Sequence, residues 1–152
     1  MNVKNILVPV DYSDSGEAAM SYAVSLARES NARLHLVHVY EQPFTYVDGG
    51  FAGTPVATEI PPVDLKDEEA KLQKITPADD VSLTRQFIIG GPADELVRYA
   101  EDNQIDLVVM GTHGRTGLSR LLMGSVAEGV VRRAPCPVLT IKQPKTELQE
   151  TA

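Results

Sequence analysis

The sequence predicts a single α/β domain, an open five-stranded parallel sheet with helices on both faces. Apolar runs such as Ile6-Leu7-Val8 and Leu107-Val108-Val109-Met110 are nearly unbroken, as in strands buried on both faces. They alternate with helical patterns, which calls for crossover connections and parallel pairing. The chain has 152 residues, enough to bury one core without disulfides or a metal.

Each element has its own signal. Asn5-Ile6-Leu7-Val8-Pro9-Val10 reads as the first strand. In Asp11-Tyr12-Ser13-Asp14, Ser13 or Asp14 can cap a helix, and Glu17, three residues after Asp14, completes a variant of the capping box. Ala19, Met20, Ala23, Val24 and Ala27 then recur at helical spacing, up to a stop at Asn31. Residues 33–39 form the second strand. Residues 41–65 carry Pro43, Gly49-Gly50, Gly53, Pro55 and Pro61-Pro62 and read as a long loop. Phe44, Tyr46 and Phe51 give that loop a sticky surface, suited to a lid or a dimer contact, although a plain mobile loop fits as well. Residues 66–75 make a short charged helix at best.

Val81, Leu83, Arg85, Phe87 and Ile89 alternate as a third strand. Gly90-Gly91-Pro92 ends it, and Pro92 suits the first turn of a helix, near whose positive end Asp94 and Glu95 sit. Leu96, Val97 and Ala100 form that helix's apolar side, and Asn103 stops it. Residues 106–110 are the fourth strand and residues 126–134 the last helix. Pro135-Cys136-Pro137 breaks it, and Val138-Leu139-Thr140-Ile141 is the fifth strand. The domain is expected to span 1–142, with the polar residues 143–152 a frayed tail.

Composition narrows the function. The formal net charge of −7 argues against nucleic acid as a general partner. Arg115, Arg120, Arg132 and Arg133 nevertheless cluster around one glycine-rich segment, and a local positive patch on an acidic protein suits a small polyanion. Cys136 is the single cysteine, so no intramolecular disulfide forms, in keeping with a reducing compartment. No apolar run approaches the ~20 residues that span a bilayer, and the first five residues lack the apolar segment of a signal peptide. The simplest location is the cytoplasm, with no membrane partner.

The glycine-rich segment is the candidate site. Gly111-Thr112-His113-Gly114 directly follows the fourth strand, and Gly124-Ser125 comes after nine further residues, opening the last helix. Glycines there let the backbone turn sharply, and the first amides of a helix have no intrahelical partner. Together they make a site for an anion, most often phosphate. No Gly-Lys-Ser/Thr follows, so this is not a Walker A loop. The glycines follow the fourth strand rather than the first, so it is not the dinucleotide fingerprint either. In parallel sheets ligands bind beyond the strands' C-terminal ends, where the strand order reverses. If the first and fourth strands are neighbours, Asp11 and Gly111 share one pocket.

These segments together resemble the universal stress protein family. The resemblance covers nearly the whole chain. It runs through Ile6-Leu7-Val8-Pro9-Val10-Asp11, the stretch from Asp106 to Arg115, Gly124-Ser125-Val126, and Cys136-Pro137-Val138-Leu139-Thr140-Ile141. It implies strand order 3-2-1-4-5, an adenine nucleotide alpha hydrolase-like fold, and a dimer through the last strand. The full Gly-x-x-Gly, nine residues, Gly-Ser spacing implies the ATP-binding branch. Pro9, Val10 and Asp11 would then line the adenine and ribose end, with Val39 offering backbone to adenine. Met110 and Gly111 would form the floor, His113 would lie within the binding turn, and Gly114 and Arg115 would hold phosphates or ribose. Gly124, Ser125 and Val126 would present amides and a hydroxyl to the phosphates. The helix of residues 67–75 is shorter than its counterpart in the family, which puts the second helix and the lid in question.

Plainer readings stand beside these. Gly111 and Gly114 could simply make a tight turn, Asp11 could cap the first helix, and Arg115 could be a solvated charge. His113 reads as a loop residue rather than a catalytic base. His35 and His38 read as structural, Cys136 as packing, and Met20, Met110 and Met123 as core or pocket filler. The expected function is an ATP-dependent sensor or regulator in stress response, taking ATP, AMP or another adenine nucleotide, with Mg2+ carried by the phosphates. No catalytic or metal-ligating residue stands out. The alternatives are a slow ATPase, since no Walker lysine is present, and a nucleotide-free dimeric interaction module. A homodimer through Val138, Leu139, Thr140 and Ile141 is expected because an apolar edge strand invites pairing.

Overall fold

The computed structural model describes residues 2–42, 45–47, 56–58, 64–113 and 123–142. In chain order the elements are β1 (Asn5–Pro9), α1 (Asp14–Ser30), β2 (Arg33–Tyr40), β3 (Thr45–Val47), β4 (Val56–Thr58) and α2 (Leu65–Gln73). Then come β5 (Leu83–Ile89), α3 (Pro92–Asp102), β6 (Leu107–Gly111), α4 (Ser125–Arg133) and β7 (Val138–Ile141). The main sheet runs β5-β2-β1-β6-β7, with every pair parallel. Counting its own strands alone, that is the order 3-2-1-4-5.

The unbroken apolar strands are explained by a core on each side of the sheet. Ile6 and Val8 of β1 face one way, packing with Leu34, Leu36 and Val109 against Ala19, Ala23, Val24 and Ala27 of α1 and Leu72 of α2. Leu7 faces the other way, with Val37, Val108 and Met110 against Leu96, Tyr99 and Ala100 of α3 and Ala127 and Val130 of α4. A strand whose successive side chains are all buried cannot alternate polar with apolar. Val97 is not in the buried set of α3, and Tyr99 takes the place expected for it.

The helix ends follow local chemistry. Ser13 caps α1, its hydroxyl accepting from the Gly16 amide at 3.1 Å, and Asn31 closes the helix in the left-handed conformation at φ 54°. The capping box proposed from Asp14 and Glu17 does not form in that register, because the third helical residue after the Ser13 cap is Gly16. Asp64 caps α2, which ends at Gln73, two residues before the expected end.

The segment read as a continuous loop contains two short strands. β3 and β4 pair antiparallel through Thr45↔Thr58, Tyr46↔Ala57 and Val47↔Val56. Three-residue strands are too short for alternation to announce them. Phe44, Phe51 and the lid expected of residues 41–65 otherwise lie outside the described residues, as does the tail 143–152.

Candidate functional site at the sheet switch point

β1 lies at the centre of the sheet, with β2 on one side and β6 on the other. The chain leaves β1 toward β2 and later crosses over to β6, so the order reverses between β1 and β6. A crevice opens at the carboxyl ends of such strands. A cavity of about 530 Å³ lies there, within the range of small-molecule sites. Pro9, Val10 and Asp11 border it from β1 and Val39 from β2. Met110, Gly111 and His113 border it from β6 and its turn, and Gly124, Ser125 and Val126 from the start of α4. Ten of the residues singled out from sequence thus line one cavity. Gly114 and Arg115 lie outside the described residues.

The turn after β1 is built tightly. Tyr12 takes a left-handed backbone at φ 61°, sparsely populated for a bulky residue. Asp11 Oδ1 accepts from the Ser13 amide at 3.0 Å and the Ser13 hydroxyl at 2.5 Å. This Asx-type turn fixes the Asp11 carboxylate at the cavity and starts α1. Asp11 therefore does not cap the helix; Ser13 does.

The opposite wall is the segment from Gly111 to His113. The Thr112 amide donates to Ile141 O at 3.1 Å, and Gly124 N donates to Thr112 O at 2.7 Å. Thr112 Oγ1 and His113 Nδ1 are 2.9 Å apart. Helix α4 then begins with Gly124 as its N-cap, a residue with no side chain to cap it. Its first-turn amides lie at the cavity edge, where Ser125, Val126 and Ala127 line the wall. First-turn amides and the positive end of the helix dipole together favour an anion.

The arginine patch is less available than the sequence suggests. Arg132 pairs with Glu128 at 2.8 Å and Arg133 with Asp94 at 2.5 Å, both on exposed helix surface. Arg115 and Arg120 lie outside the described residues.

Met123, read as core or pocket filler, lines the cavity, and several other lining residues escaped the sequence reading: Gly16, Val37, His38, Pro92, Leu96, Thr112 and Glu128. Gly16 and Pro92 were within reach, because both open helices that leave the carboxyl end of a strand. His38 was read as structural. Its Nδ1 donates to Val10 O at 2.6 Å, and its ring packs between Tyr12 and Phe87. It thereby ties the end of β2 to the end of β1. Met110 is buried in the core, whereas Met123 is 40% exposed at the cavity rim.

Away from the cavity, His35 is buried at 7% exposure between Asn5 and Tyr99. Asn5 Nδ2 donates to Gln104 O at 3.3 Å, which turns Asn5 Oδ1 toward His35 Nε2 at 3.2 Å. His35 Nε2 then carries the proton, and Nδ1 accepts from the Tyr99 hydroxyl at 2.9 Å. Burial lowers the His35 pKa, and neighbouring Arg33 lowers it further. Burial raises the Tyr99 hydroxyl. The Cys136 thiol is also pushed up, by burial first and then by Asp106, which makes it a poor nucleophile.

This sheet order with a cavity at its reversal defines a doubly wound α/β protein whose crevice lies at the switch point. The model of the universal stress protein family matches residues 2–142. A universal stress protein of Methanocaldococcus jannaschii, MJ0531, is 39% identical over 150 residues, covering 95% of this chain and 85% of the relative. The solved universal stress protein UspA of Lactobacillus plantarum superposes with a TM-score of 0.69 at 27% identity, over 93% of this chain and 99% of that one. The universal stress protein of Archaeoglobus fulgidus, solved in complex with dAMP, superposes at 0.62 with 25% identity, over 93% of this chain and all (100%) of that one. The chain belongs to the universal stress protein family.

Among the described residues, no helix is long and apolar enough to cross a membrane.

Proposed function

We propose that this protein binds an adenine nucleotide, ATP foremost, at the β1–β6 switch point and acts as a nucleotide-dependent regulator in the stress response. The observation that carries the reading is the start of α4. Its first turn meets the cavity, and its N-cap Gly124 has no side chain to cap the amides, a ready site for phosphate. The Archaeoglobus relative bound to dAMP supports adenine as the base.

In this reading Pro9, Val10 and Asp11 take the adenine and ribose, with Val39 backbone beside the base and Met110 and Gly111 beneath. Gly124, Ser125 and Val126 take the phosphates, with His113, Gly114 and Arg115 in the binding turn. Among the described residues no group of three or more His, Cys, Asp or Glu side chains could hold a metal ion. In this reading a magnesium ion is carried by the phosphates. The chain's own contribution is to hold the nucleotide, and the amides of α4 offset phosphate charge without any proton transfer.

A second element of the reading is a homodimer through β7. That strand is the sheet edge, and Leu139 on it is 38% exposed, with Val131 of α4 at 45%. Pairing two copies would satisfy the edge and cover both residues.

Protein purified without added nucleotide is heat-denatured, the released nucleotides are identified by mass, and ATP is titrated calorimetrically with magnesium. Co-purified adenine nucleotide or saturable ATP binding supports the reading. Neither one would leave a nucleotide-free dimeric module.

A further inference from the structure

Ser15 lies outside the cavity lining and outside every motif in the sequence, yet it sits at the root of the phosphate turn. It is buried at 4% exposure in the first turn of α1. Its hydroxyl donates across 98 residues to the His113 carbonyl. The same residue fills the space beneath Gly111. A Cβ placed on Gly111 would lie 2.8 Å from the Ser15 carbonyl carbon and 2.9 Å from its Cβ. The turn is thus anchored from three elements: Ser15 of α1 to His113 O, Ile141 of β7 to the Thr112 amide, and Gly124 of α4 to Thr112 O. The last two are backbone bonds that any side chains would allow. The bond from Ser15 depends on its hydroxyl.

We propose that Ser15 is a positioning residue for the phosphate end of the site: its hydroxyl holds the His113 carbonyl down on α1 and so seats the segment Gly111–His113, whose Thr112 carbonyl accepts from Gly124 N at the start of α4. This rests on the nucleotide reading above. Its effect should be greatest at the phosphate end, because Pro9, Val10 and Val39 reach the cavity from the ends of β1 and β2, and smaller at the base, where Gly111 of the floor packs on Ser15. Removing the hydroxyl would take away the bond that ties the His113 carbonyl to α1, a loss on the scale of one hydrogen bond. Gly111 and the turn would lift away from α1.

The test is a nucleotide series on two variants. Adenosine, AMP and ATP are titrated into wild type, Ser15→Ala and Ser15→Cys, with melting curves recorded for each. The expected result is an affinity loss of about tenfold for ATP in Ser15→Ala, the scale of one buried hydrogen bond. The loss is smaller for AMP and smallest for adenosine. Ser15→Cys, near in size with a weak S–H donor, falls between. A uniform loss across the series that tracks the melting temperature would make Ser15 a packing residue and overturn the proposal. Equal ATP affinity in wild type and Ser15→Ala would overturn it while leaving the nucleotide reading intact. No binding of any of the three by wild type would end both.

Discussion

Gly111→Ala tests the steric logic of the site most directly. Gly111 is not among the residues with a positive φ, so alanine meets no conformational penalty there. In an unobstructed strand this exchange is neutral or mildly stabilising, because it lowers the entropy of the unfolded chain. Here the new Cβ would lie 2.8 Å from the carbonyl carbon of Ser15 and 2.9 Å from its Cβ. Ordinary carbon contacts are about 3.5–4.0 Å, so roughly 0.7 Å or more must be found. The Ser15 hydroxyl oxygen is closer still, and rotating it away is not enough, since the carbonyl carbon belongs to the backbone of α1. The other side cannot give freely either, because Met110 and Gly111 are registered to Thr140 and Ile141 of β7. Overpacking of this kind costs about 1–3 kcal/mol. At 2 kcal/mol the melting temperature falls by about 4–8 °C for a chain of this size. Thermal and urea unfolding followed by circular dichroism read the stability. The double variant with Ser15→Ala should recover it only in part, because the hydroxyl oxygen leaves but the carbonyl carbon and Cβ remain. A Gly111→Ala protein melting within about 1 °C of wild type would show that β6 is not seated on α1 as described.

Two further outcomes follow. Leu139→Lys should give monomers on a sizing column, because a buried lysine at a paired β7 edge would carry an uncompensated charge; a persisting dimer would place the interface elsewhere. His35 should make stability fall with acid. Its folded pKa lies below the ordinary value of 6.5, so below that pH the unfolded chain takes up a proton that the native state resists. The contribution is complete above about pH 6.5 and is lost as pH falls, with a slope of at most about 1.4 kcal/mol per pH unit. His35→Gln should flatten this part of the profile between pH 7 and 5; identical slopes in both proteins would remove His35 as the cause.

Much of the fold was legible because burial on two faces writes itself into composition. Ile6-Leu7-Val8 and Val108-Val109 could be strands only if both sides were covered, and the strand order followed once the family resemblance was in view. Val138–Ile141 matches its expected bounds, set off by Pro135 and Pro137. The errors lie where a signal is short or shared. β3 and β4 are three residues each within a Gly- and Pro-rich stretch, so the turn-forming residues dominated. Ser13 and Asp14 are both good caps, and only the backbone decides between them. Tyr99 displaced Val97 because its ring packs in the core while its hydroxyl meets His35, a use of tyrosine that a hydrophobic count ignores.

The candidate site was legible to a different depth for each residue. Asp11 and Gly111 could be placed together because a topological rule, not their spacing, joins the ends of β1 and β6. The arginines could not be judged, since Arg132 and Arg133 look available until Glu128 and Asp94 are seen beside them. Ser15 marks the limit. In sequence it is one small polar residue in a helix start already supplied with a better cap at Ser13. Its role depends on α1 crossing beneath β6 closely enough that Gly111 has no room for a Cβ, and its partner is a backbone carbonyl, which any residue at 113 would provide. A side chain that acts on backbone leaves no matching residue type at the other end. Such a contact has no sequence signature, and the glycine required at 111 is its nearest trace.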